Sequence, residues 1–66
     1  MGTLNTSRNI AGADDFYAEL LAAHDGLTKP ASDALNARLI LILANHIGNR
    51  DIVRQAIAAA RATIRE

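Results

Sequence analysis

Two imidazoles are the first residues to ask about, because histidine ligates metals and carries protons near neutral pH. His24 and His46 are the only histidines in 66 residues. Each falls near the middle of an apolar helical face. The helical stretch between residues 29 and 47 would separate them by much of its own length, at roughly 1.5 Å per residue. A metal site within one chain is therefore disfavoured, and no metal or other cofactor is expected. Across an antiparallel dimer the two imidazoles could meet, which keeps a dimeric small-molecule or metal-binding module as an alternative. The simpler expectation is a structural histidine, bonded to a backbone carbonyl or to an asparagine. Asn36 sits on the apolar side and must find a hydrogen bond, to a neighbouring loop or the other protomer, or weaken the fold. His24, Asn36 and His46 are thus the candidate polar core or interface site.

Arginines form the second cluster. Arg50, Arg54, Arg61 and Arg65 line one stripe of the last helical segment, and such a stripe can bind phosphates. The Gly48-Asn49 break before it is reminiscent of a helix-turn-helix, so a nucleic-acid-binding regulator is an alternative reading. Against it stand a net charge of zero and the lack of interleaved aromatics. A solvated face, or docking to the acidic first helix, is the simpler reading.

The early carboxylates Asp14, Asp15, Glu19 and Asp25 offer no catalytic pairing. Asp14 and Asp15 suit a helix start, where free N–H groups and the positive dipole end welcome anions. No catalytic triad order, zinc helix, phosphate loop or dinucleotide fingerprint occurs. A chain this small is also expected to lack a cleft of roughly 300 Å³, the lower end for a ligand pocket. An enzyme is not expected, and no catalytic residue is assigned.

The elements that position these residues are helices. Phe16, Tyr17, Leu20, Leu21 and His24 recur at helical spacing, and Gly26 is the expected left-handed stop. Thr28 can cap the next helix, with Pro30 in its first turn, where a missing N–H is harmless. Gly48 should end that helix and Asn49 should cap a third. The expected fold is all-α, a small three-helix bundle with helices near 14–25, 29–47 and 50–65. Residues 1–12 form a flexible N-terminal arm, and 13–66 a single helical domain.

Helix two is unusual. At 100° per residue, one broad face collects Leu35, Asn36, Leu39, Ile40, Ile42, Leu43, His46 and Ile47, and helices one and three should cover it. The opposite side holds Leu41 with Ala34, Ala37 and Ala44, beside Arg38 and Asn45. Burying Leu41 against a partner would contribute roughly 1.5–3 kcal/mol. That matters in a chain too short to bury a large core. With no cysteine there is no disulfide to help. A homodimer through helix two, or a larger protein partner, is the leading expectation. The interaction surface is then Ala34, Ala37, Arg38, Leu41, Ala44 and Asn45, joined by Arg50, Arg54, Arg61 and Arg65.

Charge is unevenly spread along the chain. Residues 1–33 carry two cations, Arg8 and Lys29, against Asp14, Asp15, Glu19, Asp25 and Asp33, a balance of −3. Residues 34–66 carry five arginines against Asp51 and Glu66, a balance of +3. This favours head-to-tail or antiparallel self-docking, or pairing of the two ends within one chain. No apolar run approaches a membrane span, so no membrane partner is expected. The start MGTLNTSRN has no apolar middle of a secretion signal, and the expected location is cytoplasmic. Gly2 with Thr6 fits the loose myristoylation pattern, a weak signal at this length.

The strings DDFYAELLAAHDGL (residues 14–27) and ALNARLILILANHIGNRD (residues 34–51) closely resemble a family of short bacterial proteins known as domain of unknown function 2783. The resemblance spans about residues 9–62. It brings no established activity. Members tend to be encoded near flavin-dependent hydroxylases and other catabolic oxidoreductases, which implies an accessory protein of such an enzyme.

Overall fold

The structure is a computed structural model, and it describes residues 2–64. Three helices follow in order: α1 (Ala13–His24), α2 (Lys29–Ile47) and α3 (Arg50–Ala62). The all-α architecture and the three-helix order are those expected from the hydrophobic periodicity.

The helix boundaries have local causes. Asp14 and Asp15 occupy the first turn of α1, where their charge meets the positive dipole end. The residue before the helix is Gly12, in the left-handed region at φ 65°, with no side-chain cap. At the other end α1 stops before Gly26. Asp25 is extended, Gly26 turns back at φ 76°, and the Leu27 N–H reaches the His24 carbonyl at 3.1 Å. The glycine therefore makes the turn rather than the cap itself.

Thr28 caps α2, its Oγ1 accepting from the Ala31 N–H at 3.3 Å, and Pro30 lies in the first turn. Gly48 ends α2 at φ 69° and donates its N–H to the Ala44 carbonyl. Asn49 starts α3 at once, its Oδ1 accepting from the Asp51 and Ile52 N–H groups at 3.0 and 3.1 Å. α3 closes at Ala62, earlier than the periodicity predicts. The Thr63 hydroxyl donates to the Ala60 carbonyl at 2.8 Å, and the last turn tightens to bonds of shorter span.

The bundle does not close. Among the described residues none is fully buried. The radius of gyration is 13.5 Å, against about 10.8 Å for a compact chain of this length. The exposed area is 5983 Å² for 7.0 kDa, where a closed monomer of that mass exposes about 4,000 Å². The broad face of α2 that helices one and three should cover is instead largely bare. Ile40 and Ile42 are 59% and 65% exposed. α1 meets α2 near the turn, at His24 and Asn36, and its own Tyr17 and Leu21 stay 60% and 55% exposed, so it does not lie along α2 and cover it.

Two contacts tie the helices and the arm together. α1 meets α2 through His24 and Asn36. The start of the arm lies on α3, where the Gln55 amide grips two backbone groups. Its Nε2 donates to the Gly2 carbonyl at 3.1 Å, and its Oε1 accepts from the Leu4 N–H at 3.0 Å. Gly2 packs so closely on α3 that a Cβ there would stand 2.8 Å from Ile52 Cγ1. The sequence gives no sign of this anchor, because Gln55 reads as one more polar residue on a helix surface.

Candidate interaction surface

Of the three candidate polar residues, the structure joins two. His24 Nδ1 lies 2.8 Å from the Leu20 carbonyl, and Nε2 lies 2.9 Å from Asn36 Oδ1. A carbonyl only accepts, so Nδ1 carries a hydrogen. The Asn36 amide can offer either its oxygen or its nitrogen to Nε2, and the contact latches α1 to α2. Asn36 is exposed rather than turned into a core, and His24 is half-buried. His46 is exposed and stands apart. Among the described residues no three side chains of metal-ligating type cluster.

The expected surface strip on α2 is only partly a strip. Ala37, Arg38, Leu41 and Asn45 are exposed, and Leu41, at 70%, is the most exposed of the large apolar residues. Ala34 and Ala44 are half-buried. Ala44 belongs to another feature, since it lines the groove between α2 and α3. On the helical wheel it stands nearer to Ile40 than to Leu41, and α3 packs on that side.

That groove has a volume of about 280 Å³. Ile40, Leu43, Ala44 and Ile47 form one wall, and Val53, Ala56, Ile57 and Ala60 form the other. Each wall is an i, i+3, i+4, i+7 series, the spacing of one apolar stripe on a helix. Two other hollows measure about 450 Å³, by Arg8 to Asp15, and about 360 Å³, by Ala44 to Val53. Both exceed the size expected for so short a chain. The first lies between the arm and the start of α1 and the second at the α2–α3 turn, and both are lined by exposed or half-exposed residues.

Arg50, Arg54 and Arg61 are exposed on α3, while Arg65 lies outside the described residues. Arg54 pairs with Asp51 in its own helix at 2.7 Å, and Lys29 pairs with Asp33 at 2.9 Å. Among the described residues these local pairs are the ion pairs, and none joins α1 to α3. The charge segregation is therefore unspent within one chain.

What the fold and surface define is a small, open three-helix protein with an apolar groove and no closed core. The chain belongs to the family described as Protein of unknown function (DUF2783), whose model matches residues 4–62. The matched region includes the three helices and the arm from Leu4 onward. Neither the curated proteins nor the solved structures contain a match to the chain. No helix among the described residues is long and apolar enough to cross a membrane.

Proposed function

We propose that this protein is a non-catalytic protein–protein interaction module whose folded unit is a self-associated assembly. The observation that carries the reading is the absence of any buried residue among those described. Large apolar side chains such as Leu41, Ile42, Tyr17 and Ile57 stand 60% or more exposed. A chain this open gains little of the apolar burial that offsets conformational entropy. A second surface supplies what is missing.

The strip of Ala37, Arg38, Leu41 and Asn45 is the surface we propose for a larger protein partner. A catabolic oxidoreductase is the partner that the family resemblance implies. Leu41→Glu tests this strip. Partner capture from the native lysate should be lost while self-association and helicity persist. A Leu41→Glu chain that still captures its partner would remove the strip from the account. The assembly itself is read by the mass of the untagged chain in solution. A monomer that stays folded at micromolar concentration would refute it.

A further inference from the structure

We propose that the α2–α3 groove is the seat of α1 from a second copy of this chain, in a reciprocal antiparallel contact. The inference rests on the reading that the chain self-associates, and it names the surfaces that do so.

The groove offers two apolar walls at helical spacing, which is a seat for one side of a helix. α1 has such a side to give. Tyr17 and Leu21 lie one turn apart and are 60% and 55% exposed. His24, at the end of the same face, reaches Asn36, yet Tyr17 and Leu21 further back along α1 stay bare in their own chain. The groove starts at Ile40 and runs toward Ile47, away from the α1–α2 turn, so a chain's own α1 does not reach along it.

Charge supplies the orientation. On a wheel at 100° per residue, Asp14 and Asp25 follow Leu21 by about 20° and 40°. Arg50 and Arg61 follow Ile57 by the same angles, about 20° and 40°. Both charged edges therefore border the apolar stripe on the same rotational side. Two facing right-handed helices bring edges of the same hand together only when they run antiparallel. Asp14 to Asp25 and Arg50 to Arg61 span the same number of residues, about 16 Å along a helix axis. An antiparallel seat thus places Asp14 of the second copy by Arg61 and Asp25 by Arg50. None of these four side chains has an ion-pair partner among the described residues of its own chain.

The area agrees. The surplus over a closed monomer is roughly 2,000 Å² per chain, shared between the extended arm and the bare helix faces. An obligate dimer buries about 2,000–5,000 Å² in total. The exchange is twofold and closes on itself, with each copy giving one α1 and receiving one.

The chain has no cysteine, so single cysteines can report the contact without background. Leu21→Cys chains are mixed with Ile57→Cys chains and oxidised, and mass spectrometry reads the disulfides between chains. The account expects the mixed Leu21→Cys/Ile57→Cys species to exceed a self-linked Leu41→Cys species at least fivefold. Separately, Asp14→Arg with Asp25→Arg should weaken the dimer roughly tenfold. Mixing with an Arg50→Asp, Arg61→Asp chain should restore it. A wild-type dimer that self-links through Leu41→Cys and not through the mixed pair overturns the α1 seat and leaves self-association standing. A charge reversal without effect also overturns the seat. A wild-type chain that is monomeric in solution removes both.

Discussion

The two halves of α2 differ in composition and end in different surroundings. In the first half, Leu35 and Leu39 are half-buried, and Asn36 is engaged by His24. In the second half, Ile40, Leu41, Ile42, Leu43 and Ile47 are 47–70% exposed. The first half sets Leu35 and Leu39 among Lys29, Ser32, Asp33, Asn36 and Arg38, whereas the second runs through isoleucine and leucine from Ile40 to Leu43 before Asn45 and His46. What stands beside them differs too. The first half has a polar latch to the end of α1. The second has a partner on only one side, α3, which leaves an open apolar groove. One half of the helix is partly covered by its own chain and the other half is left bare.

That contrast can be broken from its bare end with the largest effect. Leu43→Asp should leave the isolated helices able to form but place a charge in the groove. We expect at least a hundredfold rise in the dimer dissociation constant, roughly 3 kcal/mol, by sedimentation equilibrium. Leu35→Ala attacks the other half. Its side chain is half-buried, so about 1–2 kcal/mol should be lost, below the range for a fully buried leucine. Denaturant titration followed by circular dichroism checks this, with dimer affinity dropping no further than stability does. Asn49→Ala removes the cap that holds α3 at its start and should cost about 1 kcal/mol. Amide exchange at Asp51 and Ile52, the two N–H groups it serves, gives a local readout. His24→Ala opens the latch between α1 and α2, at about 0.5–1.5 kcal/mol. The smallest effect should come from Arg54→Ala, within about 0.5 kcal/mol, because its pair with Asp51 is exposed on both sides.

Much of this architecture is written in local chemistry. The caps at Thr28 and Asn49, the turn glycines at 26 and 48, and the acidic first turn of α1 each follow from residue type and position. That His24 needs a backbone carbonyl or an asparagine was legible, and so was the need of Asn36 for a partner, but their pairing with each other was not. The missing core was not legible. Periodicity says that a face is apolar, yet it cannot say whether a neighbour from the same chain reaches it. Ala44 was misplaced for the same reason, since the angle at which α3 crosses α2 decides which side a small residue serves. The grip of Gln55 on the arm depends on a contact between residues more than fifty positions apart, and no local pattern encodes that.

The most direct test is sedimentation equilibrium with circular dichroism on the untagged chain, across about two decades of concentration. The account predicts a dimer whose dissociation on dilution is accompanied by loss of helicity, because the groove and the bare half of α2 are stabilised by a second copy. A chain that remains monomeric and fully helical throughout would contradict it, and would mean that three helices with no buried residue are stable alone.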